Sequence, residues 1–219
     1  LDEAEDAELT RQHVEKEGGR CVVIAGDVRD PRFCNKAVKQ VAKAFGGIDI
    51  LVNNAAFQMS HENLEDITDD EWVMTFDVNI TAIFRICQRA LPSMPKGSSI
   101  INTSSVNSDD PSPKLLAYAA TKGALEALVK VLASEVGPKG VRVGAVRPGA
   151  VLTEINERSG DFTHEEAAAR LESMANQHVL GRTGTAREIA EGIAYLTCAE
   201  WVTGDVLAID GGLGLGVTI

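Results

Sequence analysis

The sequence predicts an α/β protein, a single parallel sheet with helices packed on both faces. Short β-branched runs alternate with longer helical patterns along the chain, the signature of strands joined by helical crossovers. The run Ser99-Ile100-Ile101-Asn102-Thr103 reads as a buried strand, and at 219 residues with 44% apolar content the chain can bury one full core.

The elements follow in order. Asp2 to Lys16 opens on an acidic run and reads as an exposed helix. Cys21 to Ala25 reads as a strand, and Pro31 to Phe45 as a helix whose proline sits harmlessly in the first turn. Ile48 to Val52 is the next strand. Asp69 to Leu91 reads as one helix, with Thr68 ahead of an acidic first turn at Asp69, Asp70 and Glu71. Trp72 and Phe76, four apart on one face, are packing residues. The strand Ser99 to Thr103 leads to a long helix, Leu115 to Val136, stopped by Gly137-Pro138. Val141 to Val146 is a strand, Glu165 to Gln177 and Ala186 to Leu196 a pair of helices, and Val206 to Ile209 the last strand. With no internal repeat or low-complexity linker, residues 1–219 are expected to form a single domain.

A net charge of −11 disfavours nucleic acids and anionic membranes as partners. No apolar run reaches membrane length and nothing reads as a signal peptide, so a cytoplasmic protein is expected. Cys21, Cys34, Cys87 and Cys198 are far apart and have no histidine at ligand spacing, so neither a metal site nor a disulfide framework is expected. His13, His61, His164 and His178 stand alone in polar stretches and are expected at the surface.

The chemistry concentrates in Ser105, Tyr118 and Lys122. Tyr118 and Lys122 are four apart at the head of a helix, so phenol and ammonium lie on one face. An unperturbed phenol ionises near pH ~10, and acid–base work at neutral pH asks for about 4 kcal/mol of differential stabilisation, part of which a cation can supply. Ser104-Ser105 sits at a strand's carboxyl end, where ligands bind in open parallel sheets.

Asn53-Asn54-Ala55-Ala56, Asn79, Ser105, Tyr118-Ala119-Ala120-Thr121-Lys122 and Pro148-Gly149 stand in the order and spacing of the short-chain dehydrogenase/reductase family, which the chain resembles from about residue 21 to Gly212. The resemblance implies a Rossmann-like, doubly wound, three-layer α/β/α fold. It implies a nicotinamide cofactor, NAD or NADP, and a secondary alcohol or carbonyl substrate. Asn79, Ser105, Tyr118 and Lys122 would form the catalytic set: Ser105 binds the substrate oxygen, Tyr118 trades the proton, Lys122 holds the ribose and lowers the phenol pKa, and Asn79 holds a relay water in a distorted helix. Cofactor contacts would come from Asp27, Val28, Asn54, Ala55, Ala56, Tyr118, Lys122, Pro148, Gly149, Val151 and Thr153. Alanine replaces the family's usual glycine at Ala56. Residues 152–179 would form a lid, with Gln58, Asn107 and Asn156 as polar contacts. The glycine-rich end 211–216 opens no helix and reads as a terminal turn.

The family's first strand, glycine turn and second strand have no counterpart ahead of Asp27. Cys21 to Ala25 would then lack its neighbour, and the natural protein is expected to carry that segment. A homotetramer or homodimer paired through the helices 69–91 and 115–136 is the expected assembly. Asn54-Ala55-Ala56 and Tyr118-Ala119-Ala120-Thr121-Lys122-Gly123 look most like the glucose or ribitol dehydrogenase-like branch, suggesting a sugar, polyol or small carbonyl. The alternative is a non-catalytic scaffold that has lost its dinucleotide loop, disfavoured because a scaffold has no need of a proton relay. An epimerase or dehydratase of the extended branch would need a longer C-terminal domain.

Overall fold

The computed structural model describes residues 4–159 and 163–216. Its middle layer is a parallel sheet in the order β1-β2-β3-β4, made of β1 Ile50–Asn53, β2 Ser99–Thr103, β3 Arg142–Pro148 and β4 Val206–Ile209. The helices are α1 Ala4–Lys16, α2 Pro31–Phe45, α3 Asp69–Phe76, α4 Ala82–Ala90, α5 Leu116–Val136, α6 Glu154–Arg158, α7 His164–Glu172 and α8 Ala186–Cys198. Asp2 and Glu3, expected to open the first helix, lie outside the described residues. Among the described residues no helix is long and apolar enough to cross a membrane.

Both faces of β2 and β3 are covered, and alternate residues of one strand serve the two sides. Ile100 of β2, with Val143 and Ala145 of β3, packs into a core built with Val38 of α2, Ile83 and Cys87 of α4, and Leu125 and Val129 of α5. Ile101 and Val146 point the other way, onto Ile189 and Leu196 of α8. This two-sided burial is why β2 reads as an unbroken buried run rather than an alternating one. Ile100, Leu125 and Val129 are wholly buried, each contributing about 1.5–3 kcal/mol. Helix α8 lies so close to β4 that a Cβ on Gly192 would meet Ile209 Cδ1 at 2.0 Å.

One polar pair crosses this core. Asn53 Nδ2 donates to Asn102 Oδ1 at 3.0 Å, and Asn102 Nδ2 donates to the Gly144 carbonyl at 3.2 Å. Asn53 and Asn102 are register partners of β1 and β2. A buried amide left unpaired would cost about 1–3 kcal/mol, so a slipped register is penalised.

Several expected boundaries shift. Cys21–Ala25 forms no strand, because among the described residues nothing pairs with its backbone, and a strand exists only as part of a ladder. The second expected strand begins at Ile50, since the Ile48 amide bonds the Ser93 carbonyl instead of a neighbouring strand. The helix expected over 69–91 is broken into α3 and α4 by a π turn, Asp77–Thr81, and ends in a short turn at Leu91–Ser93. Helix α7 stops at Glu172, and Ala175–Gln177 is a separate turn. Helix α6 was not legible as a helix in the sequence.

Strand β1 lies at the edge of the sheet. Leu51 packs on the first core, while Ile50 and Val52, facing the other way, are 52% and 41% exposed.

Candidate active site

The carboxyl ends of β2 and β3 and the head of α5 meet at one place. Ser105 follows β2 in extended backbone and caps the short turn Val106–Ser108, its Oγ accepting from the Asn107 amide at 3.2 Å and from Asn107 Nδ2 at 3.3 Å. Tyr118 and Lys122 occupy the first two turns of α5 and are buried. Lys122 Nζ donates to the Thr103 carbonyl at 2.7 Å and lies 5.3 Å from the centre of the Tyr118 ring. Asn79 is buried in the π turn, where its Oδ1 accepts from the Phe57 amide at 2.7 Å and its Nδ2 donates to the Phe57 carbonyl at 2.9 Å and to Thr121 Oγ1 at 3.0 Å. Thr121 Oγ1 in turn donates to the Tyr118 carbonyl at 2.7 Å. All four expected catalytic residues therefore converge.

The electrostatics depart from the expectation for the phenol. Burial pushes Tyr118 up to about 12, opposed by its interaction with Ser105. Burial pulls Lys122 down to about 8. The amine sits over the ring face rather than at the hydroxyl, so desolvation governs both groups. At neutral pH Tyr118 carries its proton and is a donor.

The expected cofactor residues divide. Val28, Asn54 and Ala55 line a groove of about 200 Å³ with Val52, Val78 and Ile86, at the carboxyl end of β1. Asn54 Oδ1 accepts from Thr103 Oγ1 at 2.9 Å. Asp27 is spent on Arg29, which holds its carboxyl below the usual range. Pro148 ends β3. Gly149 faces Asp210 so closely that a Cβ would meet its Cα at 2.8 Å, so the turn demands glycine. Val151 bridges Gly184, and Thr153 caps α6, its amide bonding Asn156 Oδ1 at 2.9 Å. Asn156 is thus committed to that cap, whereas Asn107 stands beside Ser105. Part of the expected lid, residues 160–162, lies outside the described residues.

Sequence reasoning missed one charged pair beside the site and misplaced two histidines. Glu126 and Arg147 pair at 2.6 Å behind Ser105. His178, expected at the surface, is only 1% exposed. Its Nδ1 lies 2.9 Å from the Met174 carbonyl, and its Nε2 accepts from the Ala150 amide at 3.4 Å. His61, also expected at the surface, is largely buried against Glu71 at 2.7 Å. The signal available for Glu126 was its place one turn beyond Lys122 on the same helical face.

A family model described as enoyl-(acyl carrier protein) reductase matches residues 1–214. The uncharacterized oxidoreductase YhxC of Bacillus subtilis is 40% identical over 97% of this chain and 73% of its own length. The chain belongs to the short-chain dehydrogenase/reductase family of oxidoreductases. Within that family, the glucose and ribitol dehydrogenase of Daucus carota is 37% identical over 96% of this chain and 71% of its own. A short-chain dehydrogenase of Burkholderia cenocepacia, solved in complex with NADP, superposes with a TM-score of 0.87 at 32% identity, over 97% of this chain and 84% of that one. The fold is thus the Rossmann-like one of short-chain dehydrogenases, with Ser105 just after β2 and Tyr118 and Lys122 in the first turns of α5.

Proposed function

We propose that this chain transfers a hydride between NAD or NADP and a secondary alcohol or carbonyl compound of the sugar, polyol or small-ketone class. The observation that carries the reading is the meeting of Ser105, Tyr118 and Lys122 above the ends of β2 and β3, with a protonated phenol beside a serine hydroxyl. The residues present fit a nicotinamide dinucleotide. The Lys122 ammonium has three hydrogens, of which Thr103 takes one, leaving two directed donors in a buried setting. The groove at the end of β1 is apolar enough to take a flat ring. When bound, the cofactor supplies or accepts the hydride.

The chain's own residues do the rest. Ser105 Oγ binds the substrate oxygen, with Asn107 holding the serine in place. Tyr118 gives its proton to that oxygen as charge develops on it, which suits reduction at neutral pH because the phenol is protonated there. Lys122 sits beside the phenol as a cation and favours the phenolate once it forms. Asn79 joins the α5 backbone to the loop after β1 through Thr121 and Phe57, and so fixes the floor under Tyr118. The assembly proposed is a tetramer or dimer paired through α4 and α5, where Phe84 and Val131 stand 53% and 59% exposed.

A panel of sugars, polyols and small ketones, followed by nicotinamide absorbance with both cofactors, tests the reading. Turnover that disappears in Tyr118→Phe while cofactor binding persists is the expected result. Wild-type turnover retained by that variant removes the assigned acid.

A further inference from the structure

Glu126 is 8% exposed, and its carboxylate is approached from two other segments of the chain. From the segment after β2, Ser104 Oγ donates to Glu126 Oε1 at 2.8 Å and Ser108 Oγ donates to the same oxygen. From the end of β3, Arg147 Nε donates to Oε1 at 2.9 Å and Arg147 Nη2 to Oε2 at 2.6 Å. Glu126 itself stands on α5, one turn beyond Lys122 and two beyond Tyr118. Burial alone would raise this carboxyl, but the bonds from Arg147, Ser108 and Ser104 outweigh it and hold the group ionised.

The two serines bracket Ser105. Ser108 also closes the turn from its other side: its amide donates to the Ser105 carbonyl at 2.9 Å, and its one hydroxyl hydrogen is shared between the Glu126 carboxylate and that same carbonyl, which lies 2.7 Å from Oγ. The hydroxyl that meets substrate is therefore held in a turn whose ends are tied to the helix that carries the phenol. Arg147, which directly precedes Pro148-Gly149, extends the tie through a bond of 3.1 Å to Asp109. We infer that Glu126 and Arg147 are a positioning pair that sets the Ser105 hydroxyl against the Tyr118 phenol. This inference rests on the proposed oxidoreductase reading for its catalytic consequence, and on the geometry alone for the anchoring.

A paired charge on the floor of a site does work that an apolar tie cannot. A carboxylate accepts four hydrogen bonds in fixed directions and so fixes angles as well as distance, whereas apolar contacts allow sliding. Misplacement of a reacting group by about 1 Å costs on the order of a hundredfold in rate. An apolar pair of similar volume often stabilises a fold as well as a buried ion pair does, so stability and positioning can be separated by substitution.

The test compares wild type, Glu126→Gln, and the double variant Glu126→Leu with Arg147→Met, using hydrogen exchange, thermal denaturation and turnover on the best substrate of the panel. In Glu126→Gln, the amides of 106–110 are expected to exchange at least about tenfold faster while β2 and β3 are unchanged, and kcat to fall about tenfold to a hundredfold with KM for the nicotinamide within about threefold. The double variant is expected to recover the wild-type Tm without recovering kcat. Unchanged exchange in 106–110 overturns the inference, as does a kcat within about twofold of wild type in Glu126→Gln or restored in the double variant. Should wild type turn over nothing in the panel while exchange accelerates as expected, the anchoring stands and the oxidoreductase reading is what has failed.

Discussion

The corner where β2 meets α5 and the free edge of β1 have inverted compositions. At the corner, polar groups are inside: Ser104, Ser105, Thr121, Lys122 and Glu126 are all buried and bonded. At the edge, apolar groups are outside, with Ile50 and Val52 open to solvent. Burying polar groups is costly unless each is paired, so the corner is held together by bonds whose partners come from distant parts of the chain. The edge holds its shape through the Leu51 side of β1 and the Asn53–Asn102 pair. The acid–base set therefore sits at the corner, while the groove proposed for the cofactor lies at the end of β1.

The largest expected effect lies in the corner. Tyr118→Phe keeps the ring and deletes the hydroxyl, and steady-state kinetics should show kcat lower by about 10²–10⁴-fold, with cofactor binding by fluorescence titration unchanged. Next, substitutions in the two regions should differ sharply in a denaturant titration. Ile100→Ala, in the wholly buried strand, is expected to cost about 2–5 kcal/mol. Ile50→Ala, at the half-open edge, is expected to cost below about 1 kcal/mol. Equal losses would show that the edge is covered in solution.

Lys122 sharpens the comparison through pH. Its folded value of about 8 lies below its ordinary 10.5, so within that window the unfolded chain keeps a proton that the folded chain has released. Stability therefore rises with pH there, by at most about 1.4 kcal/mol per unit and about 3 kcal/mol in all. Tyr118 acts oppositely above its ordinary 10, since the folded phenol holds its proton to about 12 and stability falls. The difference in urea midpoint between wild type and Lys122→Met, followed from pH 7 to 10, isolates the lysine. A flat difference would mean the ammonium is better solvated than its burial implies. The smallest effect expected is at the edge again: Ile50→Thr should leave the stability within about 0.5 kcal/mol of wild type, measured by urea titration.

What the sequence revealed, and what it hid, follows the range of the interactions. Tyr118 and Lys122 were legible because a single helical turn relates them, and Ser105 because it ends an unmistakable apolar strand. Glu126 and Arg147 were not, because they stand 21 residues apart and their contact exists only once β3 lies beside β2. His178 was read as surface because its neighbours are polar, yet the turn that follows α7 folds it under Ala150. Cys21–Ala25 has strand composition, but composition supplies no partner. The lowered phenol pKa expected from the lysine assumed a geometry in which the amine meets the hydroxyl, and here burial prevails.

The π turn at Asp77–Thr81 has a consequence for how the family's chemistry can be lost. A turn that carries one residue too many is a debt in regular helix geometry, and deleting any one of its residues would cancel it. Such a deletion would give a straighter rod from Asp69 to Ala90 and rotate the downstream half by about 100° relative to the upstream half. Asn79 would swing off Phe57 and Thr121, so a more ideal helix would be a less useful one.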